Sequence, residues 1–388
     1  MRLRRCALLW LEPREEASFH LQDVFAGGTG VRSRLQWFAH AAHLPAPVPL
    51  EAESVRLLGE VGPNDWVDAP VLAERHGAAR VQALAEAGLL VADDADAAHA
   101  MHRDADARAR SGYWHAASAL AHMASRWSGQ DAVQALEAAG LASAQGIRAQ
   151  REPPPPAFHV RDDGGALLEL PRAGRAGFDE LLHARRTCRN FDDTVALPSP
   201  ALARVLERTF AAHGVLEAAD GLHLPRKTSP SGGALHPTEA YLLLQHVDGV
   251  APGLYHYRAD RHALQALPWH GDAAALRALA LRALAGQHWF ANAHAIVVLA
   301  PRYARNFWKY RHHPKAYRVC ILDVGHLSQT LLLGATEQGL GAFVTAAINE
   351  VDIEQAFGLD GLAEGPLAVC GFGPRAATKA TPEFDFPA

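Results

Sequence analysis

Cysteine is scarce in this chain. Cys6, Cys188, Cys320 and Cys370 are the only four in 388 residues, they lie far apart, and no CxxC occurs. That spacing excludes a disulfide framework and a thiolate zinc site. The 22 histidines supply no HExxH pair, and His312 and His313 are adjacent, so they would point apart on a regular element. An excess of either charge is also missing: 37 Lys and Arg stand against 42 Asp and Glu, a net charge of −5. A general attraction to nucleic acid or to an anionic membrane is thereby excluded. The N-terminus, MRLRRCALLWLEPREE, has basic residues before an apolar run, but the run stops at Leu11 ahead of Glu12, Pro13 and Arg14. It is too short for a signal-peptide core or a membrane span. A buried first strand and a soluble, reduced, cytoplasmic protein are expected.

What is present is enough apolar residue, 49%, for a sizeable core, in a length that suits two domains. Three regions separate. Residues 1–98 open with two strand-like runs, Cys6–Leu11 and Ser18–Phe25. Helices are expected near Ser54–Glu60, Ala69–His76 and Ala79–Ala87, the last two stopped by Gly77 and Gly88, followed by a strand at Leu89–Val91. Helix, helix, helix, strand is a winged-helix order. The third helix offers only Arg80 as a cation, with Glu86, Asp93 and Asp94 close by, a poor surface for phosphates. The rhythm resembles the small winged-helix modules that recognise leader peptides, so peptide recognition or simple packing are its expected roles. Residues 99–150 form a helical connector, in which Tyr113, Trp114, Met123 and Trp127 read as core or interface. Four prolines, Pro153–Pro156, favour an extended connection before a second domain, residues 151–388.

In that second domain helices are expected at Gly177–Arg186, Ser199–Ala212, Asp272–Gln287, Tyr317–Glu337 and Val351–Phe357. Strands are expected at Ala240–His246, Gly253–Tyr257, Leu264–Leu267, Ala295–Leu299 and Leu367–Gly371, with a hairpin turning at Arg258–Arg261. The mixture lacks a strict βαβ alternation, so the fold class is α+β.

Four stretches carry chemistry. In HARRTCRNF, Arg185, Arg186 and Arg189 surround the hydroxyl of Thr187, a set suited to a phosphate. In TSPSGGALHPTEAY, Pro230, Ser231, Gly232 and Gly233 make a tight turn whose backbone can approach a flat ligand. In FWKYRHHPKAYR, Lys309 and Tyr310 could transfer a proton if burial lowers the lysine pKa. VCGFGPR ends in a glycine loop and Arg375. Cys188 reads as a small packing residue, and Asp323 and His326, three apart on a helix, as an internal pair or cap.

Together RRTCRNF, PSGGALHPTEAY, PGLYHYRADRHAL, KYRHHPKAYRVCILDVGHLSQ, QGLGA and GFGPR resemble, over about residues 150–376, the FMN-dependent nitroreductase fold. The closer resemblance is to the SagB-type azoline or peptide-maturation dehydrogenases. The resemblance implies a nitroreductase-like mixed sheet with surrounding helices. It implies FMN held by Arg185, Arg186, Thr187, Arg189 and Arg375, approached by Pro230–Gly233. The run that follows Gly341 would lie as a loop near flavin N5. Lys309 and Tyr310 match the catalytic Lys-Tyr of the azoline dehydrogenases. The implied partners are a precursor peptide, a cyclodehydratase or other modifying enzyme that supplies the azoline, and a second copy in a homodimer; no nucleic acid, membrane or metal is implied. The expected function is oxidation of azolines to azoles, or desaturation of residues, in a ribosomally made peptide. The alternatives are an NAD(P)H-dependent nitro or quinone reductase, and a non-catalytic peptide-binding scaffold.

Overall fold

The computed structural model describes residues 1–158, 168–171, 174 and 176–383; His159, at the end of the proline-rich connection, lies outside them. Two compact units form. The first comprises Met1–Arg126, Arg302–Val319 and Asp360–Glu364, and the second Trp127–Pro301, Cys320–Leu359 and Gly365–Ala388.

The second unit is built on a six-stranded sheet in the order Ala263–Ala266, Gly253–Arg258, Thr238–Leu244, Ala295–Pro301, Ala368–Gly373, Gly341–Thr345. Every neighbouring pair is antiparallel. Strand Ala295–Pro301 is buried along its whole length, and its alternate side chains feed two different cores. Ala295, Val297 and Leu299 join Leu242, Leu244, Cys370 and Phe372 under helices Ser199–Phe210 and Ala316–Glu337. Ile296, Val298 and Ala300 join Leu243, Val369 and Phe343 under Ala273–Ala283 and Glu350–Phe357. A period of two on a sheet covered on both faces produces this split, and it explains why the strand reads as an unbroken apolar run. The fold is α+β. The expected hairpin is present, pairing Tyr257 with Leu264.

Helix Ala316–Glu337 has the length and composition to cross a membrane. Val324, Leu327, Leu331, Leu332 and Ala335 instead bury one of its faces in the core of the second unit.

Three expectations in the strands need correction. Cys6–Leu11 is not one strand: Arg2–Arg5 ends before Cys6 and the next strand starts at Leu9. The run after Gly341 is not a loop: Gly341–Thr345 is a strand at the edge of the main sheet, pairing Phe343 with Gly371. Its successive side chains Ala342 and Phe343 enter the two different cores, as on the central strand, while Val344 is exposed. Ser18–Phe25 is not a strand either. A long strand, Leu9–Phe19, pairs with Val31–Ala41 and ends at the pair Phe19–Val31. Leu21–Phe25 is a short helix that reverses the chain, with Gly27 and Gly30 at positive φ closing the return. A further hairpin, Gly214–Ala219 with Leu222–Arg226, was not signalled by the sequence, because its first strand is exposed throughout and lacks apolar alternation.

The first unit packs helices Ala52–Glu60, Ala69–His76 and Ala78–Glu86 with strand Leu90–Ala92 around Leu57, Leu58, Leu84 and Leu89. The sheet order there is Val67–Asp68, Arg2–Arg5, Leu90–Ala92. Asp106, fully buried, accepts from Arg4 at 2.7 Å, Arg110 at 3.0 Å and the Ala7 N–H at 2.7 Å, which ties helix Ala97–Ser111 to the first strand.

Candidate functional site

The arginine motif begins where helix Phe178–Ala184 ends and Arg185 turns extended. From there the chain runs beside the edge strand. Thr187 bridges Ala342 in parallel, and the Cys188 N–H donates to the Ala342 carbonyl at 2.8 Å. It then meets the C-terminal glycine loop: Phe191 bridges Arg375, and the Ala376 N–H donates to Asn190 O at 3.0 Å. Arg185, Arg186, Thr187, Arg189, Gly341 and Arg375 are thus gathered by backbone pairing. The closeness of this packing decides Gly341. A Cβ there would lie 2.4 Å from Cys188 Sγ and 3.0 Å from Arg375 Cγ. Cys188 is buried, its thiol donates to Asn190 O, and burial raises its pKa. It packs rather than reacts.

Two polar groups not signalled by the sequence complete this cluster. Asn190, buried, exchanges hydrogen bonds with the Thr381 backbone at 2.8 Å. Glu383 accepts from the Arg189 N–H at 2.5 Å and from Asn190 Nδ2 at 3.0 Å. Burial works against the Glu383 charge, but these hydrogen bonds and the nearby Arg375 leave its pKa below the ordinary value. Arg189 also lies over the Phe290 ring, 6.0 Å from its centroid.

The serine–glycine turn forms a second group in the same unit. Gly233 is left-handed (φ 66°), and Ala234 and His236 follow at φ 57° and 45°. Two non-glycine residues in that region store backbone strain, so something must hold them. The holder is Asp323 on the long helix, 3% exposed. It accepts from Ser231 Oγ at 2.5 Å and from the Gly232 N–H at 3.2 Å, and Ser231 Oγ in turn accepts from the His236 N–H at 2.9 Å. Burial raises the Asp323 pKa while the Ser231 and Gly232 hydrogen bonds oppose the rise. Asp323 is therefore the internal cap that its spacing suggested. The partner was not legible, because 91 residues separate it from Gly232. No metal-competent group of His, Cys, Asp and Glu occurs among the described residues.

Lys309 and Tyr310 belong to the first unit. They follow the short helix Tyr303–Phe307, whose Tyr303 and Phe307 pack with Trp114 at 4.6 and 4.7 Å between ring centroids. Within this aromatic group His122 is buried, with its ring stacked on Trp114. Its Nε2–H donates to Gly361 O at 2.8 Å, so Nδ1 is the acceptor, 3.0 Å from the Tyr317 hydroxyl that donates to it. Burial pushes the His122 pKa down to about 4. Lys309 is exposed and Tyr310 half-buried, with the ammonium 5.4 Å from the Tyr310 ring centroid.

The nitroreductase family profile matches residues 182–374, a span that begins at the arginine motif and ends in the glycine loop. A nitroreductase-family protein of Methanocaldococcus jannaschii is 31% identical over 189 residues, which cover 48% of this chain and 87% of that one. The chain belongs to the nitroreductase family, whose members typically bind flavin. Its similarities extend into the peptide-maturation, SagB-type branch. The trifolitoxin-processing protein TfxB of Rhizobium leguminosarum bv. trifolii is 32% identical over 157 residues, covering 39% of this chain and 40% of TfxB. The solved E. coli microcin synthetase McbBCD complex with truncated pro-MccB17 bound contains a chain of the same fold, with TM-score 0.50 and 20% identity, covering 66% of this chain and 90% of that one.

Proposed function

We propose that this protein is an FMN-dependent dehydrogenase of a ribosomally made peptide, oxidising azolines to azoles or desaturating residues. The observation that carries the reading is the 32% identity with TfxB, a peptide-processing protein. Because the chain spans 40% of TfxB, the substrate and partners are part of the proposal.

The residues fit FMN by the chemistry of their donors and by their shape. Arg185, Arg186, Arg189 and Arg375 supply cations for a phosphate and for the edge of an anionic reduced ring, and Thr187 a hydroxyl. Gly341 lets the arginine motif and Arg375 pack closely together, since a Cβ there would collide with Cys188 and Arg375. Pro230–Gly233, held by Asp323, offer backbone to a flat ligand. FMN, when bound, supplies the acceptor for a hydride.

The chain's own part is to bind and orient the peptide and to move a proton. Lys309 or Tyr310 would take the proton from one ring carbon of the azoline as the hydride leaves its neighbour. The ring becomes aromatic and the substrate loses two electrons and two hydrogens. The azoline would come from a partner cyclodehydratase. A homodimer, a cytoplasmic setting, and a division into a peptide-recognising module (1–98), a helical connector (99–150) and a flavin domain (151–388) complete the reading.

The test is an absorption spectrum, the mass of the released cofactor, and turnover of an azoline peptide. Released FMN with loss of two mass units from the peptide is the expected result. A colourless protein that cannot be loaded with FMN would sink the oxidoreductase reading and favour a scaffold. The likeness to the M. jannaschii protein keeps nitro or quinone reduction as a second reading. NAD(P)H-dependent turnover of a nitroaromatic, with no peptide turnover, would select it.

A further inference from the structure

Residues 302–318 read RYARNFWKYRHHPKAYR and contain six of the chain's 37 Lys and Arg residues and none of its 42 Asp and Glu. Such a run in a chain of net charge −5 repels itself. Arg305 registers this, its pKa lowered first by burial and then by the charge of Arg302. Three of the cations, Arg311, Lys315 and Arg318, are exposed and have no carboxylate partner among the described residues. Two of them also stand at the unfavourable end of a helix. Lys315 immediately precedes Ala316–Glu337 and Arg318 lies in its first turn, where the helix dipole is positive and favours anions.

The segment is nevertheless held in place. His312 has a left-handed backbone (φ 53°), as does Tyr113 opposite it (φ 55°). The His312 N–H donates to Tyr113 O at 3.0 Å, and its Nδ1–H donates to Trp114 O at 3.0 Å. Arg311 lies over the Tyr113 ring, 4.3 Å from the centroid, and its Nε donates to Trp308 O at 3.2 Å. The strained backbone keeps the surface arranged, and its unneutralised cations are a cost that an anionic ligand would offset.

We propose that Arg311, Lys315 and Arg318 form a docking surface for an acidic stretch of polypeptide, beside Lys309 and Tyr310. With the reading of a peptide substrate given above, on which this identification rests, the acidic stretch belongs to that substrate. A short run of carboxylates fits better than nucleic acid. A long phosphate polymer would extend past these three cations onto a chain whose remaining charge is negative.

Anisotropy of a labelled glutamate-run peptide, its glutamine counterpart and a single-stranded oligonucleotide of equal charge tests this on the full chain. The glutamate peptide is expected to bind about tenfold more tightly than the glutamine peptide at low salt, with the advantage shrinking as salt screens the charges. The triple variant Arg311→Glu, Lys315→Glu, Arg318→Glu erases the advantage. The milder triple change to Gln reduces it without shifting the melting temperature, and Arg261→Glu, at the exposed turn of the Gly253–Ala266 hairpin, leaves it intact. Equal binding of the two peptides, or an advantage that survives both triple variants, overturns the proposal. So does an oligonucleotide that binds more tightly than the glutamate peptide and is lost with the same substitutions. Turnover of an azoline peptide without acidic residues reports on the dehydrogenase reading alone, so the two can fail separately.

Discussion

Two stretches of this protein are rich in arginine, and they are built in opposite ways. Around Arg185, Arg186 and Arg189 the backbone does the holding. Thr187 and Cys188 pair with Ala342, Phe191 with Arg375, and Glu383 accepts from the Arg189 N–H. Around Arg311, Lys315 and Arg318 side chains share the holding: His312 Nδ1–H donates to Trp114 O and Arg311 lies over the Tyr113 ring, beside one backbone bond from the His312 N–H to Tyr113 O, and no carboxylate lies within the run. Similar residue types therefore sit in different settings. A cluster closed onto a sheet edge has one shape and suits a cofactor of fixed form. A cluster left exposed and self-repelling suits a flexible, oppositely charged partner. The comparison can be broken at either end.

The largest effect is expected at Lys309 and Tyr310, the proposed reacting pair. Lys309→Ala with Tyr310→Phe should lower peptide turnover by about a hundredfold or more while FMN stays bound. Undiminished turnover with full flavin content would remove the pair from the chemistry. Beneath the same segment, His122 should make stability depend on pH. Its folded pKa, about 4, lies below the unfolded value, so the unfolded chain binds the extra proton. Stability is complete above about pH 6.5 and falls by roughly 3 kcal/mol as the pH drops toward 4. Melting temperature against pH reads this, and His122→Gln should flatten that window; an unchanged slope would assign it to other groups.

At Gly341 the effects are steric. Gly341→Val should cost about 2–3 kcal/mol and release flavin, because the new side chain meets the side chains of Cys188 and Arg375. Wild-type melting and full FMN content would show that the strand edge yields. Smallest is the cap. Asp323→Asn keeps the shape but loses the charge on its hydrogen bonds to Ser231 and Gly232, and should weaken FMN about tenfold without unfolding the protein. Unaltered affinity, measured by fluorescence titration, would separate the serine–glycine turn from the flavin.

Much of the second unit was legible in sequence because its signals are local. The apolar runs at Thr238–Leu244 and Ala295–Pro301, the long helix and the hairpin at Gly253–Ala266 each declare themselves within a few residues. The arginine and glycine motifs stood out for the same reason. Gly341–Thr345 was misread as a loop because five residues carry too little periodicity, and only pairing with Ala368–Gly373 makes them a strand. Ser18–Phe25 was misread because where a strand stops depends on where its partner stops.

The sequence by itself determined the residue types, the α+β class and the family, since side-chain chemistry and periodicity travel with the chain. Tertiary structure decided which groups meet. It set Asp323 beneath the serine–glycine turn, brought Glu383 to the Arg189 N–H, fixed the His122 tautomer between Gly361 and Tyr317, and left Lys309 in solvent. Each of these depends on a contact between residues dozens to hundreds of positions apart, or on burial. No local pattern encodes either, because the free energy of a hydrogen bond or a buried charge is set by what the fold places beside it.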